Sequence, residues 1–418
     1  MDDRAWTVRT VPLRYLVGLN QHVLPEDTDP TTEFKYVEIS DVSRSAGVVV
    51  PAEKTTFAQA PSRARRLAVE GDTVVSTVRT YLRAVGKVPA TTSSERLVFS
   101  TGFAVLHPRH IDPRYLSYCC RSDPFIEEVV AKSVGVSYPA INAVDLLGIS
   151  VKVGSLQEQR RIADFLDDRI DRLDRIIAAR REQVAMARSA AFSAMSAQMD
   201  ADANAFGTAA LRRFCRGIEQ GSSPIGEDVP AGPGEAGVLK TSAIIGGAFE
   251  PARNKRIPPE VADHRHVVAD GDVLITRGSG SAALVGDAAV VRLGTYQGRL
   301  YLSDLTYRLV RPMLIPDYVV MSITSARGRS ELGTLVRQGS GPAKARGDDV
   351  LSLPVPNAPR ERQLKSIETV RGYRDHANQA EVALTKSIEL LAEYKTSLIT
   401  AAVTGELDVT TAGSGIPG

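Results

Sequence analysis

A chain of 418 residues is longer than one hydrophobic core usually supports, so two or three domains are expected. Its 43% hydrophobic and 24% charged residues exclude wholesale disorder, and 51 Lys and Arg against 49 Asp and Glu leave a net charge of +2, which alone nominates no nucleic-acid binder. No run approaches about 18 apolar residues, and the opening MDDRAWTVRTVP puts acids where a secretory signal needs a basic and then an apolar segment; a cytoplasmic chain with no membrane partner is expected.

In chain order, the first module opens near Val8 and carries two basic clusters, Arg63, Arg65 and Arg66, then Arg79, Arg83 and Lys87. Between them Val69-Glu70-Gly71-Asp72 is a turn that launches a strand from Thr73 to Thr77. Leu97 to Leu106 reads as a further strand, Pro113 to Lys132 as helical, and Asp145-Leu146-Leu147 precedes the β-like run Ile149-Ser150-Val151. From Leu156 to about Met199 there is neither Pro nor Gly, which predicts one long helix. Its apolar stripe is Leu166, Ile170, Leu173, Ile177, Val184, Ala187 and Ala191, interrupted by Arg180.

The second half repeats the first at an offset of about 200 residues. Ala269-Asp270-Gly271-Asp272 answers the first turn, and Gly286-Asp287 is matched to Gly86-Lys87. Leu309-Val310-Arg311-Pro312 is matched to Val105-Leu106-His107-Pro108, Pro316-Asp317-Tyr318-Val319 to Pro113-Arg114-Tyr115-Leu116, and Asp349-Val350-Leu351 to Asp145-Leu146-Leu147. Strands are predicted at Val273 to Thr276, Ala288 to Leu293 and Tyr301 to Val310, and a helical stretch from Pro316 to Val336. A second long helix runs from about Pro359 to Val403, with Gly405 as its stop; Gln363 sits near its start as Gln159 does in the first. Its stripe is Ile367, Val370, Ala377, Ala380, Leu384, Ile388, Leu391, Leu398 and Ala402, with Gly372 a soft spot.

A helix of about 45 residues spans on the order of 65 Å, too long for a small domain to cover its apolar face. Each helix follows its own module, so the economical solution is that the two pack antiparallel as a spacer. The predicted fold class is therefore mixed α/β: tandem β-rich modules, with two long helices forming an antiparallel coiled coil. The helix-pair interface is assigned to Leu166, Ile170, Leu173, Ile177 and Val184 against Leu384, Ile388, Leu391 and Leu398.

The chain resembles the specificity subunits of type I restriction-modification systems. The match rests on Leu156-Gln157-Glu158-Gln159-Arg160-Arg161-Ile162-Ala163-Asp164-Phe165-Leu166, on the run from Leu390 to Leu407, and on the two Gly-Asp turns. It departs at the second helix, where Arg362 and Ser366 stand in place of Glu158 and Ile162, and at Gly154-Ser155, where a Pro-rich segment is usual. The resemblance implies target-recognition domains at 1–154 and 205–358, spacer helices at 155–200 and 359–406, and a disordered tail at 407–418. It also implies that each domain reads one half of a split site in double-stranded DNA, with methyltransferase (modification) and restriction/translocase subunits as partners.

Candidate DNA contacts are Arg79, Tyr81, Arg83 and Lys87 after the first Gly-Asp turn, Arg277 and Ser279 after the second, and Lys344 and Arg346 late in the second module. Catalysis is not expected. Ser122-Asp123-Pro124-Phe125 has one Pro and no cofactor turn upstream, and Gly278-Ser279-Gly280-Ser281 lacks the Lys-Ser/Thr of a phosphate-binding loop. Glu33-Phe34-Lys35 lacks a Pro-Asp nuclease partner and Glu393-Tyr394-Lys395 lies on the second long helix; the six histidines show no triad order or metal spacing, and Cys119, Cys120 and Cys215 no metal spacing. No cofactor or metal is predicted. The competing reading is a coiled-coil scaffold whose ends bind protein, with no salt-dependent affinity for duplex DNA.

Overall fold

The computed structural model describes residues 8–91, 96–279, 284–336 and 343–410. It divides into two compact units, one of Met1–Arg181 with Thr385–Gly418 and one of Glu182–Leu384.

In the first unit the Gly-Asp turn works as its sequence suggests. Gly71 takes φ 88°, Asp72 accepts the Val69 N–H at 2.9 Å, and the strand Thr73–Ser76 follows. That strand lies inside an antiparallel sheet ordered Val85–Lys87, Thr73–Ser76, Phe103–Pro108, Val17–Leu19. A second sheet is ordered His22–Val23, Ala64–Ala68, Leu97–Ser100, Glu33–Val37, Thr55–Thr56, and its only parallel pair is Leu97–Ser100 with Glu33–Val37. Helices Pro113–Arg121 and Asp123–Ala131 close the core around the buried Tyr115, Leu116, Phe125 and Ile126.

The second unit repeats this frame. Gly271 has φ 89° and Asp272 accepts the Ala269 N–H at 2.9 Å. The sheet runs Ala288–Val290, Val273–Thr276, Thr306–Val310, Gly217–Gln220, and a three-stranded sheet again holds one parallel pair, Ala236–Leu239 with Arg299–Tyr301. Helices Pro316–Thr324 and Ala326–Leu335 stand where their counterparts stand in the first unit.

Backbone pairing corrects two of the sequence matches. Gly86 lies opposite Val74, but the residue opposite the corresponding Leu274 is Ala289, three places beyond Gly286. The second module therefore carries a three-residue insertion here, and the equal spacing of Gly86 and Gly286 is coincidental. Val105 lies opposite Val74 and Arg308 opposite Leu274, so Leu106 matches Leu309 and Val105 matches Arg308, one place from the match read in the sequence. A one-residue slip exchanges the faces of a strand, and with the corrected register Leu106 and Leu309 both point into their main cores.

The long helices are Leu156–Phe206 and Arg360–Thr404. Gly207 at φ 68° and Gly405 at φ 79° end them, the left-handed conformation that a glycine adopts without a Cβ penalty. In the second unit they run antiparallel, since Arg188 binds Glu381 at 2.8 Å while Arg362 binds Asp202 at 2.6 Å. In the first unit Leu166, Ile170 and Leu173 share a core with Leu398, Ile399 and Ala402, and Lys395 binds Asp174 at 2.6 Å. Ile177 is also buried, whereas Val184, Leu384, Ile388 and Leu391 are half-buried. Leu407 and Val409 pack on the first core; the rest of the expected tail, 411–418, lies outside the described residues.

One joint recurs at both helix starts. Buried Gln159 accepts the Asp112 N–H at 2.8 Å and donates to Gly154 O at 3.0 Å; buried Gln363 accepts the Ile315 N–H at 2.9 Å and donates to Ala358 O at 2.8 Å. Each glutamine thus ties a module helix, the preceding loop and a long helix together, satisfying two backbone groups that would otherwise be orphaned.

Candidate nucleic-acid interface

After the strand Thr73–Ser76 the chain of the first module turns outward at Val78, which bridges to Ala140. Ala140 also bridges to Val134, closing a short hairpin whose tip holds Gly135 at φ 116°, Val136 and Tyr138. Val136 is 102% and Tyr138 65% exposed, so this tip is the most solvent-projected apolar feature described in the module. Arg79 and Arg83 flank the turn Thr80–Leu82, both with left-handed backbone at φ 50° and 53°. Non-glycine residues pay for that conformation, and such strain concentrates at working sites. The Arg79 guanidinium lies 5.0 Å from the Tyr138 ring centroid, and Thr80 donates to Ser133 at 2.8 Å, pinning turn to hairpin.

Arg79 is therefore brought onto Tyr138, and Tyr81 and Arg83 are exposed in and beside the same turn, Arg83 4.0 Å from Asp123. Lys87 is exposed at the other end of the sheet, opposite Thr73 and beside Glu70, Pro113 and Arg114. Of the earlier basic cluster, Arg63 is engaged by Glu38 at 2.6 Å, which with Tyr36 raises its pKa, and Arg65 stacks 4.7 Å from the Phe57 ring.

The second module uses the same backbone device. Gly278–Ser279 pairs with Ala343–Lys344, Gly278 opposite Lys344, and Ala345 N donates to Arg277 O at 2.9 Å just as Ile141 N donates to Thr77 O at 2.9 Å. Lys344 and Arg346 are exposed. Arg277 points inward, donating to Asp304 O at 3.1 Å with its guanidinium 5.9 Å from the Tyr307 ring, and Ser279 is buried. Gly280, Ser281 and Arg337 lie outside the described residues. The hairpin tip at Val136 and Tyr138 escaped the sequence reading; its signal is the short Gly135-Val136-Ser137-Tyr138-Pro139 loop just before Asn142, the cap of the next helix.

A family model described as "Type I restriction modification DNA specificity domain" matches residues 28–186. The EcoKI specificity subunit of Escherichia coli (strain K12) is 22% identical over 323 residues, 74% of this chain and 69% of that protein. A solved structure from work on complex assembly and conformational transition of the type I R-M system superposes with a TM-score of 0.62 at 21% identity, covering 96% of this chain and 98% of that one, a likeness of fold. The HsdS subunit from Thermoanaerobacter tengcongensis aligns over 96% of this chain and 97% of its own at 21% identity, with a TM-score of 0.44. The two-module architecture, the specificity-domain match over residues 28–186 and the EcoKI relative agree in likening this chain to the specificity subunits of type I restriction-modification systems.

Proposed function

We propose that this subunit reads a bipartite site in duplex DNA, one half with the module at 1–154 and the other with the module at 205–358, while the helices at 155–200 and 359–406 set the unread gap and carry methyltransferase and restriction/translocase subunits. The carrying observation is the recurrence of one backbone frame with different displayed side chains: Arg79, Tyr81 and Tyr138 on the first, Lys344 and Arg346 on the second. Two half-site readers need this combination, because phosphate contacts can be shared in kind while base contacts must differ. Bond-making belongs to the partner subunits, and the chain works in the cytoplasm, where its DNA is. Among the described residues no helix is long and apolar enough to cross a membrane.

The test is an exchange of residues 8–150 for those of a relative, followed by methylome sequencing of cells that also express the modification subunit. One half-site should change and the other stay. Change in both halves, or in neither, overturns the reading. Duplex binding followed by fluorescence anisotropy should weaken steeply with salt; an affinity indifferent to salt favours the protein-binding scaffold instead.

A further inference from the structure

Four basic side chains that are remote in sequence meet in the first unit. Arg44, Arg83, Arg121 and Lys395 line a cavity of about 250 Å³, together with Ser43, Ser45 and the apolar Leu82 and Ile399. Among the described residues, two carboxylates pair with them at close range. Asp123 sits 2.8 Å from Arg44 and 4.0 Å from Arg83, and Asp174 takes Lys395 at 2.6 and 2.7 Å; Asp171 acts on Lys395 from further off. Lys395 spends its remaining donor on Ser45 O at 2.8 Å. Arg121 donates from Nη2 to Arg44 O at 3.1 Å, but its Nε is sealed from solvent with no hydrogen-bond partner among the described residues. Burial, and then Arg44, holds Arg121 below its usual pKa; burial, with Arg121 as a like neighbour, lowers Lys395 in spite of Asp174. Positive charge is in excess here, and a buried donor is left over.

The second unit shows what the frame requires without this cluster. The turn that carries Arg44 and Ser45 is Gly246-Gly247 there, between the strands Ile244–Ile245 and Ala248–Phe249. Arg121 ends the nine-residue helix whose counterpart ends at Thr324. Ala84 and Asp287 occupy the same rung, so Arg83 corresponds to Gly286, and both are left-handed, at φ 53° and 74°. Thr400 and Ser196 each accept the first N–H of the module's second helix, at 3.0 Å, which places Lys395 against Ala191. Four cations in one unit are thus two glycine positions, a threonine and an alanine in the other. At Arg83 an arginine occupies a conformation that its counterpart gives to glycine, so the fold alone does not explain it.

We propose that the cavity between Arg44, Arg83, Arg121 and Lys395 binds a phosphate-class anion, held by the Arg83 guanidinium and the spare donors of Arg121. The anion is a phosphate of the DNA backbone or a free phosphate. The first source rests on the DNA-reading function proposed above; the second does not. A backbone phosphate seated here would register the first half-site against the long helices, because Lys395 belongs to one of them and Arg83 to the turn beside Tyr81.

Inorganic phosphate titrated into the full chain and followed by 31P NMR should show saturable binding, weakened at least tenfold in Arg83→Gln and in Arg121→Gln, with thermal melts confirming that both variants are folded. If the same variants also lose about tenfold in duplex affinity, with a salt slope shallower by about one, the source is the DNA backbone. If duplex binding is unchanged, the source is free phosphate. Wild-type chain that shows no saturable phosphate binding, with duplex affinity and salt slope unaltered in both variants, overturns the proposal and leaves an ion-pair network. A wild-type chain indifferent to duplex DNA defeats the DNA reading alone, and the phosphate titration still decides the cavity.

Discussion

The two units keep one backbone frame and fill its polar positions differently. Tyr115 and Tyr318 are both fully buried at matched places, yet Tyr115 donates to Lys152 O at 2.8 Å while Tyr318 donates to the Asp202 carboxylate at 2.8 Å. Asp202 is 0% exposed and is also bound by Arg362 at 2.6 Å, Ser366 at 2.6 Å and Gln198 at 3.0 Å. The residues by which the second helix departs from the family pattern, Arg362 and Ser366, are thus the partners of a buried charge that the first unit does without. There the helices are joined by Lys395 and Asp174 instead. Duplication preserved the turns, the order of the four-stranded sheet and the glutamine joints; the ionic contacts were settled separately in each copy. A buried charge is favourable only with its full set of partners, so such clusters change as wholes.

That contrast can be broken most severely at Asp202. Asp202→Ala should cost about 3–5 kcal/mol in urea unfolding of the second unit, because it strands Arg362 and removes the acceptor of Tyr318 and Ser366; Tyr115→Phe in the first should cost about 1 kcal/mol. Equal losses would show that the two tyrosine environments are alike after all. Next comes Gly286, where a Cβ would meet the Leu332 side chain at 1.6 Å and where φ is positive. Gly286→Ala should destabilise by about 2–4 kcal/mol, read as a lower Tm, whereas the matched position already accommodates Arg83.

The shared feature is sharpened by Gln159→Ala and Gln363→Ala. Each leaves a buried N–H and a carbonyl without partners, so each should cost about 1–3 kcal/mol in chemical denaturation. The two losses should agree to about 1 kcal/mol, and a larger gap would mean that only one joint is intact. The smallest effect concerns the thiols. Burial pushes the Cys119 thiol up to about 12 and Cys120 well above the ordinary 9.0, while Cys215 in the second unit is raised less deeply in its core. The folded state keeps protons that the unfolded chain sheds above pH 9, so stability is intact below that point and falls as pH rises from 9 toward 12. Melting profiles between pH 8.5 and 10.5 should show the first unit's transition moving down further than the second's.

Legibility followed sequence range. The Gly-Asp turns, the helix starts at Gln159 and Gln363 and the Pro- and Gly-free helices are local patterns, and each was readable from a few neighbouring residues. The false match of Gly86 with Gly286 shows the limit: two glycines at equal spacing carry no register, and only the ladder revealed the insertion. The first helix runs to Phe206 because Gly207, and no feature near Met199, ends it. Exposure of single arginines was not readable either, since Arg79 stacks outside on Tyr138 whereas Arg277, at the place that Thr77 takes in the first module, turns in toward Asp304. The cluster around Arg121 joins residues 77 positions apart to Arg44 and a helix near the other end of the chain, a pattern with no linear signature.

The paired glutamines also bear on how new specificities can arise. Each hydrogen-bonds to backbone atoms of its neighbours, Asp112 N and Gly154 O or Ile315 N and Ala358 O, so these bonds do not depend on which side chains those neighbours carry. A segment recombined just upstream of either glutamine can therefore differ in its side chains and still seat on the resident helix, provided that it supplies one helix-start N–H and one free carbonyl. Such a socket lets the outer surface of a module change wholesale while the long helix that receives it stays as it is.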